Sequence, residues 1–224
     1  MEQYLRCTVT IDCDQESIRE AAQRVTKDLT TEKEKAIALY YFVRDSIRHN
    51  AYAPLYIPER YKASVTLKEG NGFCQHKAIL LAALARVVGI PSRIGFVDVQ
   101  DHRLSDTFKK MIGDIDVFPG HGYCELYVNG KWVHVSPAYD LATCQKNGFV
   151  PVDWDGENDA KDSPYDVNGN LHIVHINDHG CSDDFSYDEL MGYYMEWVAG
   201  LGVDWNELKN KGESIRQTRS WGEG

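Results

Sequence analysis

The stretch at 70–93 constrains the fold more than any other part of the chain. It reads Gly-Asn-Gly-Phe-Cys-Gln-His-Lys, then Ala-Ile-Leu-Leu-Ala-Ala-Leu-Ala-Arg-Val-Val-Gly-Ile-Pro-Ser-Arg. From Ala78 to Val88 only Arg86 is charged. A surface helix keeps a polar face, so a helix that is apolar almost all round belongs inside. This segment is predicted to be the buried spine of the domain. Cys74 stands where a glycine-broken loop turns into that helix. The first helical turn has unpaired N–H groups and a partial positive charge, which favour a thiolate. Taken alone, Cys74 reads equally well as a small core hydrophobe, because free cysteine is among the most buried residue types.

A second segment tips that balance. It runs His121-Gly-Tyr-Cys-Glu-Leu-Tyr-Val-Asn-Gly-Lys-Trp-Val-His-Val-Ser-Pro-Ala-Tyr-Asp140. Asn129-Gly130 is a strong hairpin signal between two alternating runs. A period of two puts His121, Tyr123, Glu125 and Tyr127 on one face, and Trp132, His134 and Ser136 on one face of the partner strand. His121 and Ser136 then lie at the same end of the ladder, as a base and its orienting group must. His76 points about 200° away from Cys74 around the helix and makes a poor base. His134 is the main rival to His121. Cys124 falls on the opposite face from His121, with Leu126 and Val128, and reads as core.

These elements resemble the transglutaminase-like superfamily of cysteine enzymes, which includes transglutaminases, peptide N-glycanases and many bacterial peptidases. Its pattern is glycine-x-cysteine opening a helix that ends in glycine-isoleucine-proline-x-arginine, then a histidine-aromatic strand and a tryptophan-x-x-valine-aspartate-proline strand. The corresponding residues are Gly72-Phe73-Cys74, Gly89-Ile90-Pro91-Ser92-Arg93, His121-Gly122-Tyr123 and Trp132-Val133-His134-Val135-Ser136-Pro137. The helix from Thr31 is similar to the one preceding the family's core. The resemblance covers about residues 15–140. It implies an α+β, papain-like fold with N-terminal helices and a buried central helix against an antiparallel sheet. It also implies Cys74 as nucleophile and His121 as base, with position 136 third.

The sequence departs from the family at that third position, where Ser136 stands in place of aspartate. A hydroxyl can fix the histidine tautomer but carries no charge to stabilise an imidazolium. Three readings stay open: Ser136 orients His121 itself, Asp140 swings in, or the triad is degraded. On the first, Ser136→Asp retains or raises thiol reactivity. The resemblance implies a thioester route on an amide carbonyl of a protein, peptide or small amide. Short bacterial members favour hydrolysis over amine transfer. The alternative is a binding module that has lost its acid. A papain-like protease by convergence shares the Cys-then-His order but needs a cysteine-glycine-serine-cysteine-tryptophan signature that is missing.

Composition sets the frame. At 224 residues the chain reads as a single domain, with a C-terminal extension at 141–210 and a loose tail at 211–224. A formal charge of −10 disfavours nucleic acid and anionic membranes. No apolar run reaches the ~18 residues that span a bilayer, and no secretory signal opens the sequence, so a cytoplasmic setting is expected. The six cysteines are scattered and read as reduced thiols. His172, His175, His179 and Cys181 lack a zinc-site pattern. Asp153-Trp-Asp155-Gly-Glu157 begins like a calcium loop but has no glutamate at its end. No cofactor or metal is implied.

The remaining elements follow from periodicity. An edge strand is expected at 4–11, helices at 15–29 and 31–48, a proline-containing aromatic loop at 52–61 and a strand at 92–99. An insertion at 100–120 carries Phe108, Met111, Ile112 and Ile115 as a possible cap. The hairpin spans 121–128 and 131–137, a further strand falls at 171–176 and a closing helix at 186–199. Thr31 with Glu34 has the spacing of a capping box.

Overall fold

A computed structural model describes residues 1–111 and 116–200, together with 204, 206 and 210. Helices α1 (Glu16–Val25) and α2 (Glu32–Ser46) come first, followed by a short strand β1 (Arg48–His49). Next come α3 (Ala63–Glu69), β2 (Asn71–Gly72), α4 (Cys74–Val87), β3 (Ser92–Asp101) and α5 (Asp106–Met111). The chain continues through β4 (Val117–Val128), β5 (Lys131–Val135), α6 (Leu141–Asn147), β6 (Ile173–Ser182) and α7 (Tyr187–Gly200). This is the expected mixture of helices and antiparallel sheet. The main sheet has the order β5-β4-β3-β6, with each neighbouring pair antiparallel.

Helix α4 is buried from Cys74 to Arg86, packed among α1, α2, α3, β3 and β4. That environment explains its sequence, since an element with neighbours on every side has no face to leave polar. Two basic side chains are buried on it: Lys77 donates to the Arg44 carbonyl, and Arg86 donates to the carbonyls of Arg6, Ser92 and Asp183 and to the Ser92 hydroxyl. A buried charge is tolerable only when its donors are satisfied in this way. At α2, Thr31 and Glu34 form the capping box. Helix α1 is shorter than expected, ending at Val25.

The hairpin turns at Asn129 (φ 53°) and Gly130 (φ 83°), two consecutive left-handed residues that match strand twist. β4 starts earlier than predicted, at Val117, and β6 reaches Ser182 and pairs with β3. Gly122 lets α4 come close to β4, because a Cβ there would lie 2.7 Å from the Gln75 Cα.

Several expectations are corrected. Residues 4–11 form no strand. Glu2–Leu5 is a 3₁₀ turn, and the segment after it is a loop tied by Thr8 and Thr10 to Asp184. Cys7 and Cys13 form a disulfide across this loop, where reduced thiols were expected. The aromatic loop contains a second 3₁₀ turn, Pro58–Tyr61, and leads into α3, which periodicity missed because it is only two turns long. Of the apolar stripe at Phe108, Met111, Ile112 and Ile115, the side chains lie outside the described residues, as does the tail at 211–224.

Gly122→Ala is expected to lower the urea midpoint, by about 1–3 kcal/mol of stability, because the obstacle is helix backbone rather than a flexible side chain. An unchanged midpoint would show that α4 does not sit this close.

Candidate active site

Cys74 is the first residue of α4 and is buried at the helix mouth. Phe73 precedes it in extended conformation, and its N–H donates to His76 Nδ1 at 3.3 Å. His76 also stacks on Tyr61 at 4.6 Å, so its ring is engaged away from the sulfur. Gln75 fixes the helix end laterally, its amide nitrogen donating to the Gly120 carbonyl (2.7 Å) and the Tyr194 hydroxyl (3.1 Å). The effect is to hold the first turn of α4 against the start of the His121 strand.

His121 is buried on β4, and the Cys74 sulfur lies near enough to its ring to raise its pKa. Its Nε2 is 3.3 Å from Asp162 Oδ2, an ion-pair contact rather than an aligned hydrogen bond. Burial by itself would lower the His121 pKa. The adjacent Cys74 sulfur and Asp162 carboxylate outweigh that and hold it well above the ordinary histidine value. Burial would likewise raise Asp162, but contact with His121 and the Ser136 hydroxyl brings it well below the usual carboxylate range. Both shifts favour the charged forms, imidazolium on His121 and carboxylate on Asp162.

Ser136 does not take the third position directly. Its hydroxyl donates to Asp162 Oδ2 at 2.7 Å, one hydrogen bond behind the ring. The expectation for Ser136→Asp therefore reverses, since a second carboxylate would stand against Asp162. Asp140 is committed elsewhere. It caps α6 by accepting from the Thr143 N–H (2.9 Å) and hydroxyl (2.8 Å), and it accepts from the His49 N–H at 2.7 Å.

Asp162 lies beyond the segment that resembles the family, and backbone pairing brings it in. The Ala160 N–H donates to the His134 carbonyl (2.8 Å), and the Ser136 N–H donates to the Ala160 carbonyl (2.9 Å). Together these make a parallel bridge alongside β5. The Asp159 carboxylate accepts from the His134 N–H at 3.0 Å. Two residues past the bridge, the chain delivers Asp162 to Ser136 and His121. In sequence Asp162 is one acid within an acidic loop, with no spacing signal to single it out.

Burial pushes three neighbouring histidines, His134, His172 and His175, toward the neutral form. His134 stacks on Tyr123 with ring centroids 3.9 Å apart and is pushed down to about 3. His172 stacks on Phe149 at 3.9 Å and is pushed down to about 4. His175, 6.4 Å from His121, is also lowered by burial. Only His121 has the sulfur and the contacting carboxylate that reverse the effect. The residues weighed as zinc ligands go to separate partners, with His179 Nε2 on Asp98 (2.8 Å) and the Cys181 sulfur on the Tyr123 hydroxyl (3.4 Å). The calcium-like loop closes on itself, Asp155 accepting from the N–H groups of Glu157 and Asn158 at 2.8 Å. Cys124 is fully buried, as its strand face required.

The model of the transglutaminase-like superfamily core matches residues 19–137, more than half of the chain. The chain belongs to the transglutaminase-like superfamily. Among solved structures it is similar to a candidate cysteine protease from Cytophaga hutchinsonii, at 16% identity and a TM-score of 0.46. That likeness covers 82% of this chain and 56% of the other. It is also similar to a candidate protease from Parabacteroides distasonis, at 17% identity and a TM-score of 0.36, covering 58% of this chain and 29% of that one. The chain therefore spans about half of the first and under a third of the second. No curated protein matches it. The superfamily match ends at Pro137, so Asp162 is a contribution of the segment outside it.

Asp162→Asn is expected to lower the His121 titration midpoint, read by NMR of the ring. It should also cost about 3 kcal/mol near neutral pH by leaving a buried cation unpaired. The sign follows from linkage. The raised His121 pKa contributes stability below the ordinary histidine range and loses it as pH rises through the folded value. The lowered Asp162 pKa contributes above the ordinary carboxylate range and loses it in acid. The wild-type advantage over Asp162→Asn in urea unfolding should therefore shrink at both extremes. A pH-independent difference would show that the two groups are not paired.

Proposed function

We propose that this protein is a cysteine amidase or peptidase that hydrolyses an amide through a thioester on Cys74. The observation that carries the reading is a sulfur at a buried helix N-terminus near an imidazole whose Nε2 lies 3.3 Å from a buried carboxylate. In this reading Cys74, His121 and Asp162 are the catalytic triad, and Ser136 is a positioning residue that fixes Asp162. Since Nε2 of His121 faces Asp162, Nδ1 serves the sulfur.

The Cys74 thiolate attacks the carbonyl carbon, forming the S–C bond while the carbonyl π electrons move onto oxygen. The Cys74 N–H is positioned to receive that oxyanion. Collapse breaks the C–N bond, and the amine departs with the proton from His121. Next, His121 removes a proton from water as the water oxygen bonds to the acyl carbon. The second collapse breaks the S–C bond, releases the acid and returns Cys74 as thiolate beside the imidazolium. Asp162 stabilises the imidazolium throughout and does not itself take the proton.

The binding-module alternative drew on the missing acid at position 136, and a carboxylate from position 162 speaks against it. Water is the acceptor in our reading, and the substrate is a protein, peptide or small amide. Among the described residues no helix is long and apolar enough to cross a membrane. Reduced thiols would accompany the expected cytoplasmic setting, and the Cys7–Cys13 bond departs from that.

With p-nitrophenyl acetate as acyl donor, intact mass should show one acetyl group on Cys74, discharged by hydroxylamine as the hydroxamate. Cys74→Ala should show none, and His121→Ala should acylate about 10²–10⁴-fold more slowly. Absence of any adduct on the wild-type protein, under conditions that label other thiols, would overturn the assignment.

A further inference from the structure

A tetrahedral oxyanion is best held by two donors, and the thioester route has so far supplied one. The aromatic loop at 52–61 carries tyrosines that could serve as the second. There, Tyr61 donates to the Leu55 carbonyl at 2.9 Å and stacks on His76 and Phe185. Its hydroxyl is already spent.

Tyr139 is differently placed. It follows Ser136-Pro137-Ala138 off the end of β5, and its half-buried ring is held by neighbours at 4.5 Å (His49), 5.2 Å (Phe149) and 5.7 Å (His172). The backbone is pinned on both sides through His49, whose Nδ1 is 3.1 Å from the Ala138 carbonyl and whose N–H donates to Asp140. The His49 ring in turn packs 5.4 Å from Phe73, the residue before the nucleophile. This chain of contacts anchors Tyr139 at the mouth of α4. Its hydroxyl has no hydrogen-bond partner among the described residues. It is close enough to Cys74, Asp101 and Asp162 to feel their charges. Burial and these negative groups hold its pKa well above the ordinary tyrosine value, so it stays protonated and can only gain by donating.

We infer that the Tyr139 hydroxyl donates a hydrogen bond to the carbonyl oxygen of the bound acyl group, as a second oxyanion donor beside the Cys74 N–H. This rests on the thioester reading above. It makes Tyr139 a catalytic residue, since its hydroxyl touches the reacting oxygen, while His49 positions it. A phenol whose ring is held by three neighbours loses little freedom at the moment of reaction, which is what makes such donors effective.

Two reactions of the same sulfur separate this role from a merely structural one. Acetylation by p-nitrophenyl acetate passes through an oxyanion, whereas alkylation by iodoacetamide displaces iodide at carbon and makes none. Tyr139→Phe keeps the ring and its packing. It is expected to slow acetylation of Cys74 by about 10²-fold while leaving alkylation within about twofold of wild type. Acetylation at the wild-type rate would overturn the inference and leave the thioester reading standing. Equal slowing of both reactions would also overturn it, because the ring would then be supporting the Cys74–His121 pair. A wild-type protein that alkylates but never acetylates would overturn the thioester reading and this inference with it.

Discussion

The site depends on how closely the first turn of α4 approaches β4. A side chain at 122 would meet the Gln75 backbone, so only glycine allows the approach. Gln75 then holds the two elements together through the Gly120 carbonyl. Cys74 and His121 flank this contact, one on each element, and their meeting is a result of it. Helix burial and strand pairing each follow from local sequence. The site needs both to be placed correctly relative to one another, and an amide and a missing side chain accomplish that.

Charge is the second requirement. Asp162 acts on four imidazoles, His121, His134, His172 and His175, and burial pushes down all of them except His121, where the nearby Cys74 sulfur and Asp162 reverse the effect. The protein thus concentrates its cation on a single ring without removing the other histidines. Ser136 has a part in this. Where the family places an acid, this chain places a hydroxyl that donates to an acid arriving from elsewhere. The carboxylate has in effect moved from one strand to the segment lying alongside it, and the serine left behind anchors it.

The legibility of the sequence divides along the same line. The buried helix, the capping box at Thr31, the turn at Asn129-Gly130 and the face occupied by Cys124 all follow from periodicity and turn chemistry, which are local. Cys74 and His121 were readable because residue type and element position coincide. Asp162 was not, because a long-range backbone bridge between Val135 and Ala160 delivers it and no periodic signal encodes that bridge. The error at residues 4–11 has a similar origin. Alternation suggested a strand, but long-range hydrogen bonds to Asp184 and the Cys7–Cys13 bond define that segment as a loop.

The Ala160 bridge has a further consequence for how the molecule can fail. Between α6 and β6 the chain runs from 148 to 172 without a helix or a named strand, and it carries the counter-charge of the imidazole. A proteolytic nick in that span would leave the helical spine and the four-stranded sheet continuous. It would nonetheless release the anion from its two-bond mooring. Loss of the charged pair and global unfolding would then part company: the His121 ring would lose its counter-charge while the circular dichroism stayed native.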